Sequence, residues 1–277
     1  MCLLSLACMR LLAPLSLLLL ACAPLPAQIV EAHHARMELL AERDAVASHQ
    51  RLWLGVHFQL EKGWHIYWIN SGDSGQPPAL RWQLPFGFHA GEIHWPRPEK
   101  LKTSQLADYG YEDEVVLLVP VQTPYDLKHN FVVNIDLDAK WLICRELCIP
   151  DRAHLHLALP YSTIPPPDTA HAKLFANARK LLPKVWPSHW QAMATSGKDD
   201  FVLTVQADGP FHEAEFFPLE PNQIENAAPQ PVRATARGAK ITLKKSDLLV
   251  KPISELKGLL VLRGGDAYQI VAPVTQQ

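Results

Sequence analysis

Two cysteines set four positions apart, Cys144 and Cys148 in WLICRELCIP, are the residues of this chain best suited to chemistry. The other three, Cys2, Cys8 and Cys22, lie in or at the edge of an amino-terminal stretch with one positive charge, Arg10, and an apolar run from Leu11 to Leu20 followed by small residues and prolines. That pattern is a secretory signal, expected over residues 1–27, and its apolar run is shorter than the ~20 residues a bilayer crossing needs. An exported body left with two thiols closes them into a disulfide unless something reduces them or a metal holds them. A body of about 250 residues buries a core without such a staple. The pair is therefore surplus to stability, which points to function.

Geometry restricts how the two sulfurs meet. A disulfide needs Cα atoms within roughly 4.4–6.8 Å, whereas four residues of extended strand span about 13 Å. Either Arg145-Glu146-Leu147 is the loop of a hairpin, or the stretch is a single helical turn. Flanking alternation in NFVVNIDLDAKWLIC and RAHLHLALP favours the hairpin. So small a ring removes little entropy from the unfolded chain, and a bond in a surface turn is easier to reduce than a buried long-range one. Both arguments favour exchange chemistry over stapling. A copper site is the alternative, because soft thiolates select Cu(I); its ligands would be Cys144, Cys148, His154 and His156, the two histidines sharing one face of a strand.

The elements that position these residues read as β. RLWLGVHFQLE places Leu52, Leu54, Val56, Phe58 and Leu60 at alternate positions, and MELLAE and EVVLLVPVQ continue the texture. Between them stand turn signals at Asn70-Ser71-Gly72-Asp73-Ser74-Gly75, Pro77-Pro78, Pro85-Phe86-Gly87 and Pro96-Arg97-Pro98. The pattern predicts an all-β fold: an antiparallel sandwich over 28–162, a proline-rich linker and helix over 163–190, and a second, smaller β domain over 191–277. In the linker, Asp168 is expected to cap a helix through HAKLFANARKLL that Pro183 stops.

Composition excludes more than it assigns. With Arg10 removed, 25 basic residues face 28 acidic ones, dispersed rather than massed with aromatics, so nucleic acid is not indicated. No later stretch is long enough to span a membrane, and no nucleophile elbow, zinc-binding His-Glu-x-x-His or phosphate loop is present. Leu25-Pro26-Ala27 offers cleavage before Gln28, while Leu19-Leu20-Ala21-Cys22 has the form of a lipoprotein box with Cys22 as the lipidated residue.

EKGWHIYWINSGDSGQPP, LPFGFHAGEIHWPRPEK, DYGYEDEVVLLVPV and KWLICRELCIP, in that order between about Met37 and Pro160, together resemble the amino-terminal periplasmic domain of the DsbD/ScsB family of thiol:disulfide interchange proteins, in its ScsB-like form. AEFFPLEPNQIENAAPQP and LKGLLVLRGGDAYQI look like the second exported β domain of ScsB-like members. The resemblance implies an immunoglobulin-like sandwich, a periplasmic location and thiolate attack through mixed disulfides without a cofactor. It makes Cys148 the cysteine that joins to partners and Cys144 its resolving mate. It implies periplasmic thioredoxin-fold partners and, since these 277 residues carry no membrane domain, a separate membrane thiol reductase; cytochrome c biogenesis and copper tolerance are the associated processes. An aromatic cap loop over the cysteines would correspond to Asp108, Tyr109 and Tyr111.

Other residues have bland readings. Trp64, His65, Tyr67 and Trp68 are expected to fill core and surface niches rather than bear on the thiols. His33-His34 read as a frayed tail, and Glu112, Asp113 and Glu114 as a solvated turn, although an acid beside the thiols would shuttle a proton.

Overall fold

A computed structural model describes residues 29–103, 106–127 and 132–276. The expected signal, and with it the question of Cys22, lies outside the described residues. Strands β1 (Ile29–Ala32), β2 (Ala35–Ala41), β3 (Arg51–Leu60), β4 (His65–Gly72), β5 (Ala79–Gln83), β6 (His89–Ala90), β7 (Glu99–Thr103), β8 (Leu106–Glu112), β9 (Glu114–Gln122), β10 (Val132–Cys144) and β11 (Cys148–Pro160) come first. Helix α1 (Ala172–Lys180) separates them from β12 (Gln191–Ser196), β13 (Asp200–Gln206), β14 (Ala214–Pro218), β15 (Val232–Thr235), β16 (Gly238–Lys244), β17 (Glu255–Leu262) and β18 (Ala267–Gln276).

The first eleven strands make an immunoglobulin-like sandwich. One sheet runs β1-β2-β3-β9-β6 and the other β11-β10-β4-β8-β7, with β5 also on β10. Alternation puts Met37, Leu39, Leu54, Val56, Phe58 and Leu117 of the first sheet against Ile66, Trp68, Ile135, Leu137, Trp141 and Ile143 of the second, all buried. The run Val115–Val119 is apolar at every position because β9 is covered on both faces. Val116 and Leu118 point outward into a separate cluster with Leu40, Phe175 and Ala178 of α1. Gly55 makes room there, since a Cβ would stand 3.1 Å from the Phe175 ring.

Helix α1 does not start as expected. Its N-cap is His171, and no side chain bonds the first-turn amides. Asp168 instead pairs with Arg43 at 2.8 Å, and Arg179 at the far end makes a two-pronged contact to Glu42. Long-range ion pairs fix this segment to β2 and its following turn, so the carboxylate is spent outside the helix.

The last seven strands form one sheet, β14-β17-β18-β12-β13-β16-β15, antiparallel except where β12 meets β18. It encloses a second core of Phe201, Leu203, Val205, Phe216, Ile241, Leu256, Leu260 and Ile270. Its contact with the sandwich is itself a core. Phe217 and Leu259 join the first cluster, with the Phe217 ring edge-on to Trp68 and Tyr109.

Candidate functional site

Strands β10 and β11 pair without interruption from Val132↔Pro160 to Cys144↔Cys148, and the two cysteines are joined by a disulfide with Cα atoms 4.2 Å apart. Arg145-Glu146-Leu147 is the hairpin loop, closed by the Arg145 N–H donating to the Leu147 carbonyl. The hairpin of the two geometries is therefore the one adopted.

The two sulfurs are unequal, and strand order explains why. Strand β10 is internal: Cys144 has Cys148 on one side and His65 of β4 on the other, and is 2% exposed. Strand β11 ends its sheet, so Cys148 is exposed. Leu147 stands 78% exposed beside it. Arg145 is held back, its guanidinium 5.1 Å above Trp64. The same indole stacks on His34 at 3.8 Å, and Glu61 holds that imidazole at 2.6 Å. His33 reaches Asp151 on β11. The His33-His34 pair thus belongs to the β1–β2 turn and the site's flank; the expectation of a frayed tail is corrected by these contacts.

Behind Cys148 lies a buried polar row on the outer face of the second sheet, the face opposite Ile66, Trp68, Tyr109 and Tyr111. The Tyr67 hydroxyl is 3.3 Å from Cys148 Sγ and 3.4 Å from Ser74 Oγ. Ser74 grips Asp108 twice, donating its backbone N–H to Oδ1 and its hydroxyl to Oδ2, both at 2.8 Å. His65 Nε2 lies 4.0 Å from Asp108 Oδ2 and makes no hydrogen bond. Burial lowers the His65 pKa, opposed by the Asp108 charge. Burial likewise raises that of Tyr67, so the phenol keeps its proton at neutral pH. The turn Asn70–Gly75 presses this row into place: a Cβ on Gly75, whose φ is +71°, would fall 2.0 Å from the Tyr67 ring.

Several expectations change accordingly. Asp108, Tyr109 and Tyr111 do not form a cap loop. They are buried in β8, where Tyr109 donates to Asn226 in the β14–β15 loop and Tyr111 to the Pro96 carbonyl. What lies over the aromatic ring is the Asn70–Gly75 turn. Tyr67, expected to fill a core or surface niche rather than bear on the thiols, is fully buried beneath that turn and does bear on the sulfur with its hydroxyl. The signal was available: a buried phenol needs a polar partner, and the neighbouring turn is rich in hydroxyls and carboxylates. Of the expected solvated turn only Asp113 lies between strands: Glu112 ends β8, and Glu114 opens β9 and bonds His57 at 2.7 Å.

The alternative copper ligands are not gathered. His154 and His156 stand six and eight residues along β11 from Cys148, roughly 20 Å or more of extended strand, and pair with Asp138 and Asp136 across the hairpin. Among the described residues, no group of three or more His, Cys, Asp or Glu side chains is placed to hold a metal ion.

Residues 36–160 match the family described as "Thiol:disulfide interchange protein DsbD, N-terminal". The N-terminal periplasmic domain of ScsB from Proteus mirabilis superposes with a TM-score of 0.66 at 18% identity, over 88% of this chain and 94% of that one. The YadV chaperone reaches a TM-score of 0.23 at 9% identity, over 85% of this chain and 98% of its own. No curated protein matches. Residues 36–160, with their disulfide-closed hairpin, belong to the family of DsbD amino-terminal domains.

Proposed function

We propose that this chain is a periplasmic thiol-disulfide exchange protein, carrying reducing equivalents from a separate membrane thiol reductase to thioredoxin-fold partners. The observation that supports this reading most is the inequality of the two sulfurs: one on an edge strand and open to a partner, the other buried beside it. In the reduced form the Cys148 thiolate attacks a partner disulfide, and one partner sulfur leaves. Cys144 then attacks Cys148, releasing the second sulfur and re-forming the ring. The chemistry needs no cofactor. Leu147 gives a partner an apolar contact at the reacting edge. In this reading 28–162 is the redox domain, 163–190 the connector and 191–277 a second domain that supports it.

The test is a trap. The reduced Cys144→Ala protein, mixed with an oxidised exported thioredoxin-fold protein, is expected to accumulate a mixed disulfide through Cys148, visible as a thiol-sensitive band. Cys148→Ala should give none. Absence of any trapped species, together with no transfer by the unaltered protein, would sink the proposal.

A further inference from the structure

Proton counting orients the row behind Cys148. The Ser74 hydroxyl has one proton, and it goes to Asp108 Oδ2; Ser74 Oγ can therefore only accept from Tyr67. In the disulfide Cys148 Sγ carries no proton, so the single Tyr67 proton has two acceptors, Sγ and Ser74 Oγ; once reduction gives Cys148 an S–H, the Tyr67 proton turned to Ser74 leaves a phenol lone pair facing Cys148 Sγ. In the reduced protein that lone pair is the acceptor for the Cys148 S–H. All donors point the same way, from an exposed sulfur to a carboxylate only 4% exposed.

We propose that Asp108 is the terminal base for Cys148, taking the thiol proton through two hydroxyls, those of Tyr67 and Ser74. The inference deepens the exchange reading and rests on it. The thiol proton passes to the Tyr67 oxygen, the Tyr67 proton to Ser74 Oγ, and the Ser74 proton to Asp108 Oδ2. Cys148 becomes a thiolate, Asp108 a neutral acid, and both hydroxyls are restored. The sulfur lone pair then forms a bond to one sulfur of the partner disulfide as its S–S bond breaks, and the departing thiolate is protonated from solvent. Cys144, losing its proton to solvent, attacks Cys148 and expels the second partner sulfur, which is protonated from solvent as Asp108 returns its proton there. Two electrons and two protons leave the dithiol and two thiols are made. His65, beside Asp108 on β4, is the other titratable group in the row. Asp73 on the turn is engaged by the Ala107 amide and Asn226, and Arg145 and Glu146 sit outside on the exposed loop.

A charge-only role for Asp108 has the opposite sign. A nearby carboxylate raises the thiol pKa, so removing its charge would give more thiolate and faster attack near neutrality. The experiment uses the full chain, reduced, with glutathione disulfide as probe from pH 5.5 to 10. Formation of the Cys144–Cys148 bond is followed on the peptide carrying both cysteines, by mass spectrometry after acid quench. Tyr67→Phe and Asp108→Asn are expected to slow the reaction about ten-fold or more at pH 6–7. The gap should close above about pH 9, where solvent ionises a thiol unaided. Ser74→Thr, which keeps a hydroxyl, should retain the rate and Ser74→Ala lose it. If Asp108→Asn does not fold, Tyr67→Phe, which removes a single oxygen, decides. Rates equal to or above those of the unaltered protein at pH 6–7 overturn the relay. A relay seen with glutathione but no transfer to any thioredoxin-fold protein would instead overturn the partner assignment alone.

Discussion

His65 shows at the scale of one side chain what burial does to stability. Its pKa in the folded protein lies below the ordinary 6.5, chiefly through desolvation, so between the two values the unfolded chain binds more protons than the folded one. Stability from this group is present above about pH 6.5 and is lost as pH falls toward the folded pKa. His65→Gln is therefore expected to flatten the fall in urea midpoint between pH 7 and pH 5; an unchanged slope would count against this assignment. Cys144 and Cys148 were legible from spacing alone. Tyr67 and Ser74 were not, because period-two alternation reports which face a residue occupies and says nothing of what its polar tip meets. Asp108 was singled out in a different role: the family resemblance set it over the thiols in a cap loop, whereas pairing of β4 with β8 puts it on the same buried face as Tyr67.

Among the elements, the β10–β11 hairpin was the most readable. Thirteen paired residues on each strand follow from alternation, and three loop residues follow from the distance a disulfide can bridge. Helix α1 was found but miscapped, because Arg43 lies over a hundred residues from Asp168 and no local pattern reveals it. The Asn70–Gly75 stretch was read as turn chemistry; Asn70–Gly72 end β4 and the chain turns at Asp73 and Ser74, and its tight seating on Tyr67 is a tertiary fact. Gly75→Ala places a methyl in the Tyr67 ring with φ at +71°. It should destabilise the protein by about 1–3 kcal/mol, measured by chemical denaturation. The exchange rate should also fall, since the ring can yield only by moving its hydroxyl.

Across the whole molecule, the end of β14 and the β14–β15 loop hold the turn that seats Tyr67. Asn226 accepts from Tyr109 and donates to Asp73, while Asn70 donates to the Pro218 carbonyl. Asn226→Ala leaves a buried phenol and a carboxylate oxygen short of a partner, with an expected loss of about 1–3 kcal/mol. Amide exchange at Ser74 and Ala107 should quicken, and unchanged protection there would detach the last sheet from the site. The sequence called for a second β domain and left it without a task; the contacts of that region with the turn beside Tyr67 had no local signature. The disulfide spans just four positions, and this sets how redox state and folding are coupled. A ring that small stabilises the oxidised fold by only about 2 kcal/mol on chain-entropy grounds. In a closed thermodynamic cycle, the same quantity is the difference in reduction potential between folded and unfolded dithiol, about 40 mV for two electrons. Oxidised and reduced forms should then melt within a few degrees of each other. The pair can be oxidised and reduced while the fold around it remains a bystander.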